Sequence, residues 1–356
     1  MYIYIALYKM GVRKLNKFIV SRNLTIYHPT MHDYVESQQH NTKNKVIAID
    51  FWLYAHKFLH SVKYTNILLG FWNQIMRFLS CGIVPLYVMD GMIPIEKQDT
   101  VDMRNKKRNN IINRIKEIDK QKDVFINLNE LNEIKEKLKK KVKRIRTSEL
   151  YNIHRMFDHM GIPYVRANYE ADAMCAKLYK EGIIMACLSD DMDMLALGCG
   201  STIKFYQGSI IEYNLAHINR ELGITQEQLI DMCIMFGTDY LRHQFHIEGD
   251  IIHAMIREHG SILEFLQSHQ HTTFNMDNPN IRIFGENYQN VRDIYMNSVT
   301  REIIPVNLYN YSIEYISPDN LINFFSKTRG FDNNRCAKKI NDDINMINQM
   351  IKNKLL

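Results

Sequence analysis

Long apolar runs are missing from this sequence. It contains no stretch of about 18 apolar residues, so no membrane-spanning helix is expected. The opening MYIYIALYKM is too short to span a membrane and lacks a small-residue cleavage site, so we do not interpret it as a signal peptide. Internal repeats and flexible linkers are also missing. A chain of 356 residues, 46% hydrophobic, therefore predicts one large core, or one core with a smaller appendage.

Cysteine is scarce, and its spacing excludes two further classes of protein. None of the six cysteines belongs to a CxxC pair, and several lie inside apolar runs. We interpret them as reduced core residues of an intracellular protein, which excludes a zinc site and a disulfide framework. The 14 histidines show no ligand spacing either. The cysteines are Cys81, Cys175, Cys187, Cys199, Cys233 and Cys336.

The excess of positive over negative charge is concentrated in one segment. Residues 103–146 carry 16 Lys or Arg and 6 Asp or Glu, a net charge of +10 in a chain whose net charge is +6. The rest of the chain is therefore acidic, at −4. This division suits a polyanion that one part of the protein holds and another part cuts. A solvated charged helix is the alternative interpretation.

Acids follow three apolar runs that we interpret as buried parallel strands. Their order is Val46–Asp50, then Ile83–Met89 followed by Asp90, then Ile183–Leu188 followed by Asp190, Asp191 and Asp193. Glu170 and Asp172 open a predicted helix, Glu170–Glu181, between the last two strands. Parallel strands present their carboxyl ends at one edge of a sheet, where ligands bind. The gathered acids would repel one another unless cations held them, although helix capping also places acids at such positions.

The rest of the chain predicts an α/β fold with a mostly parallel central sheet flanked by helices. Residues 95–146 are basic, largely helical and without glycine, with a turn expected at 127–132. This insertion should stand above the acidic edge. Residues 267–298 are rich in Asn and His and predict no element. The remaining elements are a strand at 203–206, helices at 11–19, 66–79, 147–160, 226–236, 251–258 and 261–266, and a helical tail after Ser317.

Six blocks in order now identify a family. They are MGVRKLNKFI from Met10, VIAID ending at Asp50, LYVMDG around Asp90, MGIPYVRANYEADA from Met160, SDDMD from Ser189 and ELGITQEQLIDMCIMFGTDY ending at Tyr240. The chain resembles the flap endonucleases, structure-specific 5′ nucleases of DNA replication and repair. The resemblance runs to about Leu266, with a weaker echo in Asp319–Ile340.

This resemblance implies a domain organisation. Residues 10–266 would form the 5′ nuclease core, with the basic arch at about 95–146. Residues 267–316 would form a divergent connecting region, and residues 317–356 a C-terminal helical segment, helix–turn–helix-like, packed on the core. Residues 1–9 would be an extension. We expect the working protein to begin at Met10, with residues 1–9 absent or inhibitory.

The resemblance also implies a metal site. All seven positions that hold metal in the family carry a carboxylate here, although Asp172 is shorter than the usual Glu. Two Mg²⁺ ions about 4 Å apart would activate water and stabilise the leaving oxygen, and we expect Mn²⁺ to substitute. The implied ligands are Asp50, Asp90, Glu170, Asp172, Asp191, Asp193 and Asp239.

Basic residues take their roles from the same resemblance. Lys97 and Arg104 fall on the two catalytic basic positions of the arch and would stabilise charge at the scissile phosphate. His56 replaces a tyrosine that stacks on the base beside the cut, although a surface histidine is an equal alternative. The N-terminal glycine, Gly11 here, would lie at the DNA junction. Backbone phosphates would be held by Lys140, Lys141, Lys143 and Arg144.

Three departures from the family limit what carries over. The glycine-rich hairpin Gly-Ile-Gly-Pro-Lys is replaced by residues 246–250, His-Ile-Glu-Gly-Asp, so the grip on duplex phosphates should be weak. The connection between Val62 and Asn66 is short, so the wedge against a 3′ flap should be missing. No sliding-clamp-binding tail is recognisable, because NLINFF at Asn320 aligns inside the core and lacks the glutamine.

We therefore expect a monomeric, Mg²⁺-dependent endonuclease that cuts 5′-flap or branched DNA. A 5′ exonuclease or junction resolvase of the same superfamily is the neighbouring alternative, and a catalytically silent DNA-binding scaffold is the alternative from another class. RNA stays open as a substrate, because phosphate contacts do not read the sugar. A cellular enzyme of this kind would act in the nucleus, and one from a cytoplasmically replicating DNA virus in the cytoplasm.

Overall fold

The computed structural model describes most of the chain. The described ranges are 11–12, 14–38, 45–61, 66–120, 128–241, 247–268, 279–308, 316–327 and 334–353. Three predictions lie outside them: the start at Met10, the short connection after Val62, and the hairpin residue His246. Within these ranges, no helix is both long enough and apolar enough to cross a membrane.

Seven strands form one mixed sheet in the order β1-β7-β6-β5-β2-β3-β4. Neighbouring strands from β6 to β4 run parallel, and β7 is antiparallel to both β6 and β1. The mostly parallel sheet is thus confirmed, although β1 and β7 were not predicted. The strands are β1 (Ile26–His28), β2 (Val46–Asp50), β3 (Val84–Met89), β4 (Tyr164–Arg166), β5 (Ala186–Leu188), β6 (Ser201–Tyr206) and β7 (Ser209–Asn214).

Helices cover both faces of the sheet. Several predicted bounds agree closely with the structure, above all those of α7 and α11. The helices are α1 (Leu15–Ser21), α2 (Met31–Gln38), α3 (Phe51–His60), α4 (Ile67–Leu79), α5 (Gln98–Lys120), α6 (Leu128–Val142), α7 (Thr147–Met160), α8 (Ala171–Lys180), α9 (Asp193–Ala196), α10 (Leu215–Leu222), α11 (Gln226–Phe236), α12 (Gly249–His259), α13 (Ile262–Ser268), α14 (Pro279–Asn297), α15 (Pro318–Ser326) and α16 (Asn334–Lys352), with 3₁₀ turns at Ile95–Lys97 and Val306–Leu308.

The apolar core has two halves because strand residues alternate between the faces of the sheet. Ala48 of β2 joins the half that contains α1, α8 and α11. Ile47 and Ile49 join the half that contains α4, α7 and α16. Both faces of β2 are buried, so this strand reads as a continuous apolar run, as parallel central strands do.

The basic insertion forms an arch of two helices, α5 and α6, that pack on each other. Few of its side chains are buried: Thr100 and Ile118 in α5, and Leu131 in α6. Such a helix pair stands out from the core, as expected from its charge. The predicted turn at 127–132 is wrong for residues 128–132, which begin α6. Asn is compatible with a first helical turn, and this tolerance misled the sequence-based assignment.

The C-terminal helices α15 and α16 pack on α4. The rings of Trp72 and Phe325 meet edge to face at 5.4 Å. The Trp72 indole N–H donates to Asp343 Oδ2 at 3.2 Å. The clamp-like stretch NLINFF lies in α15, and its Leu321 and Phe325 are buried in the core. The division of the chain at residues 266 and 316 stays a prediction.

Candidate active site

Three strand ends place three acids at one edge of the sheet. Strands β5, β2 and β3 are neighbours; Asp50 is the last residue of β2, Asp90 directly follows β3, and Asp191 comes shortly after β5. Asp50 Oδ1 accepts the backbone N–H of Leu53 at 3.1 Å and so caps α3. Asp90 Oδ1 accepts the N–H of Ala171 at 2.9 Å, at the start of α8. Capping and clustering are thus performed by the same side chains.

Helix α8 brings Glu170 and Asp172 to this edge. The loop before Glu170 is fixed by Glu302, which is fully buried. The carboxylate of Glu302 accepts the backbone N–H groups of Asn168 at 2.6 Å and Tyr169 at 2.9 Å. Glu302 therefore positions the backbone that carries Glu170, although it lies more than 130 residues away in sequence.

Asp193 and Asp239 complete the set of acids. The N–H of Asp193 donates to Asp191 Oδ1 at 2.9 Å, so the two side chains share one turn. Tyr295 of α14 donates its hydroxyl to Asp193 Oδ1 at 3.1 Å. Asp239 follows α11. Its backbone oxygen accepts a hydrogen bond of 2.8 Å from the hydroxyl of Thr100, a residue of the arch. All seven predicted acids thus lie close enough for their charges to interact.

Both predicted arch cations reach these acids. Lys97 forms a short ion pair with Glu170, and Arg104 pairs with Asp239 at 2.7 Å. Lys97 also lies over the ring of Tyr240, 4.6 Å from its centre, and the Tyr240 hydroxyl donates to Glu170. Burial lowers the pKa of Lys97, but the charges of Glu170, Tyr240 and Asp193 together outweigh burial and hold the pKa well above its usual value. Lys97 therefore stays cationic.

Five aspartates of the cluster have raised pKa values and so hold protons more tightly than free carboxylates: Asp50, Asp90, Asp172, Asp191 and Asp193. Burial raises the pKa of Asp50 to about 7, and the charge of Asp90 adds to this effect. Burial first, and the charge of Asp191 second, raise the pKa values of Asp172 and Asp193 well above the usual value. The pKa of Asp191 is raised by burial too. Cations that entered the cleft would relieve this repulsion.

The donor set suits a hard divalent ion. Every candidate ligand is a carboxylate, the type that Mg²⁺ prefers. Asp172 Oδ1 is buried and has no hydrogen-bond partner, as an oxygen reserved for a ligand would be. Among the described residues, no three His, Cys, Asp or Glu side chains already converge on one point as a metal would require. Glu170 and Asp239 are instead paired with Lys97 and Arg104, which would have to release them.

We predict that the metal-free protein loses stability as the pH rises. A carboxylate whose folded-state pKa is raised stabilises the fold below its unfolded pKa, and this contribution is lost as the pH rises through the folded value. For Asp50 the window is from about 4 to about 7. In EDTA, the Tm of Asp50→Asn minus the Tm of the parent should increase by roughly 5 °C from pH 5 to pH 7.5, because only the parent is destabilised by the ionisation of Asp50. Scanning calorimetry would measure it, and a constant difference would contradict the prediction.

Gly11 lies directly against the acids. A Cβ built on this glycine would be 1.6 Å from Asp191 Oδ1, and the residue has φ +75°. No other residue fits at this point without moving the carboxylate. The structure thus places Gly11 beside Asp191, and its predicted position at the DNA junction stays a prediction.

The predicted DNA-binding residues divide into two groups. Residues from α3 and both arch helices line a cavity of about 390 Å³. No carboxylate is among its lining residues, and the buried Arg108 Nε has no hydrogen-bond partner. Lys143 instead donates to the carbonyl of Leu59 at 3.1 Å, and Lys140 is exposed outside the cavity. The lining residues are Trp52, His56, Arg104, Asn105, Lys107, Arg108, Ile111, Lys141, Arg144 and Ile145.

Tyr295 and Glu302 were missed by the sequence analysis, because Tyr295 lies in residues 267–298, which predicted no element, and Glu302 lies just after them. Helix α14 buries Phe284, Tyr288 and Val291 along with Tyr295. These four residues recur at spacings of four, three and four, which is a helical signal. The abundance of Asn obscured it. The region assigned as a connection therefore contributes directly to the active site.

Two family models match the chain. The XPG N-terminal domain matches residues 10–111 and the XPG I-region matches residues 161–239. Flap endonuclease 1-A of Sorghum bicolor is 30% identical over 285 residues, covering 78% of this chain and 70% of that protein. Flap endonuclease 1 of Encephalitozoon cuniculi is 28% identical over 320 residues, covering 85% and 87%.

Solved structures share the fold. The catalytic core of Rad2 in complex with DNA substrate has a TM-score of 0.66 at 19% identity and covers 95% of this chain and 100% of that one. Human GEN1 in complex with Holliday junction DNA has a TM-score of 0.66 at 17% identity, covering 97% and 80%. Together, the fold, the cluster of acids and the arch identify the protein as a nuclease. Within that class, the chain belongs to the flap endonuclease family, which shares the XPG regions.

Proposed function

We propose that the protein is a structure-specific 5′ nuclease that hydrolyses phosphodiester bonds in 5′-flap or branched DNA with divalent metal ions. The observation that carries the proposal is the contact between the arch and the acids, because Lys97 and Arg104 already bond to Glu170 and Asp239. Membership of the flap endonuclease family supports the same reaction. Mg²⁺ is the proposed ion, with Mn²⁺ as a substitute.

The residues divide the reaction between them. Metal ions held by the seven acids would activate water and stabilise the leaving 3′ oxygen. Lys97 and Arg104 exchange their carboxylate partners for the scissile phosphate and stabilise its developing charge. Tyr240 and Tyr295 hold Glu170 and Asp193 in place through their hydroxyls. The cations of the arch cavity hold the phosphates of the single strand.

Junction cleavage is the second candidate. It is favoured by the fold shared with GEN1, which was solved with Holliday junction DNA. The altered hairpin also weakens the case for a strict flap enzyme. A catalytically silent scaffold is disfavoured, because none of the seven acids has been lost.

A panel of end-labelled substrates tests the proposal. Flap, nick, gap, four-way junction and single-strand substrates, in DNA and RNA, would be incubated with Mg²⁺, Mn²⁺ or EDTA. We expect Mg²⁺-dependent cuts near the branch point of flap DNA and none in EDTA. Equal cutting of every substrate would disprove structure specificity. No cutting with any ion would favour the scaffold.

We predict that the downstream duplex contributes little to binding. Glu248 occupies the N-cap position of α12, and Asp250 in the first turn pairs with Arg22 at 2.6 Å. Helix N-termini usually attract phosphate, but these two acids cancel that attraction. Shortening the downstream duplex of a flap substrate from about 20 to about 10 base pairs should change Kd less than about threefold.

The matched variant for this prediction is Glu248→Lys. It restores a positive charge at the helix start without breaking the ion pair between Arg22 and Asp250. Its affinity should depend more steeply on duplex length than that of the parent. A steep dependence already present in the parent would show that the hairpin does grip the duplex.

A further inference from the structure

Lys204 lies beside the acids, and in the order of the strands it lies on the other side of β2 from the strand that leads to Lys97. Leu188 of β5 pairs with Ile203 of β6, so Lys204 lies beside Ser189 at the carboxyl edge. Strand β6 adjoins β5, whereas β3, which leads to Lys97, lies on the other side of β2. The two lysines therefore flank the acid cluster from opposite directions.

A second lysine, Lys57 of α3, lies near the first. Its Nζ is 2.6 Å from Asp190 Oδ2, and the two side chains are 38% and 40% exposed. The ammonium also lies 4.6 Å from the centre of the Tyr54 ring. Lys57 is close enough to Lys204 for its charge to lower the pKa of that residue. The ion pair between Lys57 and Asp190 is therefore partly exposed to solvent, so a ligand can reach Lys57.

Lys204 has neighbours but no ion pair among the described residues. Its Nζ lies 4.7 Å from the centre of the Tyr213 ring and 4.0 Å from Met192 Sδ. Burial lowers the pKa of Lys204 to about 8, against the opposing charges of Asp190 and Asp191. A partly buried ammonium without an ion pair costs free energy. An anion bound between Lys204 and Lys57 would remove that cost.

The charge balance favours such an anion. Lys57, Lys204 and Asp190 together carry +1, and Asp191 belongs to the acids that face the metal ions. Metal cations bound to those acids would repel the ammonium group of Lys204 unless an anion lay between the metal ions and Lys204. The alternative role for Lys204 is to balance the charge of the acids in the metal-free protein, without touching substrate. If Lys204 binds an anion of the substrate, removing it should weaken DNA binding. If it only balances charge, removing it should leave DNA binding unchanged.

We propose that Lys57 and Lys204 form a subsite for one backbone phosphate of the cut strand, on the duplex side of the scissile bond. The proposal rests on the proposed nuclease function. In this proposal the cut strand runs from the arch cavity across the acids and leaves past β5 and β6. Lys57 and Lys204 lie along that exit, and their ammonium groups would donate to the phosphate oxygens.

The test compares the double variant Lys57→Gln, Lys204→Met with the parent. Binding of flap DNA would be measured with Ca²⁺ in place of Mg²⁺ over a range of salt concentrations. We expect Kd to rise about tenfold and the slope of log K against log salt to flatten by about one, the value for one lost phosphate contact. Lys204→Arg with Lys57 intact should keep parental affinity. The control, Lys338→Gln with Lys339→Gln on the exposed face of α16, should change neither quantity.

A methylphosphonate scan locates the contact. Each phosphate of the cut strand would be neutralised in turn. In the parent, one position 3′ to the cut should weaken binding, and in the double variant the same position should have no effect. Identical profiles in both proteins, with parental Kd and only a changed Tm, would overturn the subsite and leave the charge-balancing role. If the parent itself cuts no DNA in the substrate panel, the nuclease function fails instead.

Discussion

Asp191→Asn and Asp50→Asn are expected to abolish DNA cleavage while the protein stays folded. Each substitution keeps the shape of the side chain and removes the charge that a metal ion requires. The structural contacts survive, because an amide oxygen can still accept the N–H of Asp193 or of Leu53. Single-turnover cleavage of flap DNA should fall by at least about 100-fold.

Stability separates this prediction from simple unfolding. Removing one of several repelling carboxylates should leave the Tm in EDTA unchanged or raise it at pH 7.5. Divalent ions should then stabilise the variants less than the parent, which calorimetry with Ca²⁺ would show without any turnover. Variants that cut as fast as the parent would show that the metal assignment is wrong.

Lys97→Ala and Arg104→Ala are expected to slow the chemical step far more than they weaken binding. Both side chains act on charge that develops at the scissile phosphate, so their loss falls on the rate constant. We expect single-turnover rates about 100-fold lower, with Kd for flap DNA within about threefold of the parent. Quench-flow kinetics and binding in Ca²⁺ would measure the two quantities separately.

The arch provides the contrasting variant, Lys140→Ala with Lys141→Ala. Lys141 lines the arch cavity, and among the described residues neither lysine forms an ion pair with the active-site acids. This pair should weaken binding and flatten its salt dependence, while the rate constant at saturating enzyme stays near the parental value. Equal effects of all four substitutions on binding and rate would refute this division of roles.

The active-site acids could be predicted because two local patterns coincide at them. An apolar run that ends in Asp marks the end of a buried strand, and this occurs at Asp50 and at Asp90. Parallel neighbours must then present those ends at one edge. Strand β2 indeed pairs with β3 and β5 in parallel. Family resemblance added Asp239 and the metal-binding role of the acids. It also added the roles of Lys97 and Arg104, which no local pattern distinguishes from other basic residues of the arch.

The edge strands and the late helix could not be predicted with the same rules. Strand β1 has three residues, too few for a period to show, and it exists because it pairs with β7. A buried network explains its position, since His28 bonds to Glu212 at 2.9 Å across that pair. The energy of this strand pairing comes from residues far apart in the chain, so the pattern of consecutive residues does not predict it.

The sequence by itself predicted acids at the ends of strands and helices and a basic segment to face them, because burial and capping leave periodic local signatures. The full set of seven carboxylates and its metal-binding role came from the resemblance to a known family. Tertiary structure alone decided which partners those atoms have. It brought Glu302 beneath the Glu170 loop, Tyr295 onto Asp193, and Lys204 beside Asp190, through contacts between residues far apart in the chain. The physical reason is that the closeness of such residues depends on how the helices and strands pack, and no local stretch records that packing.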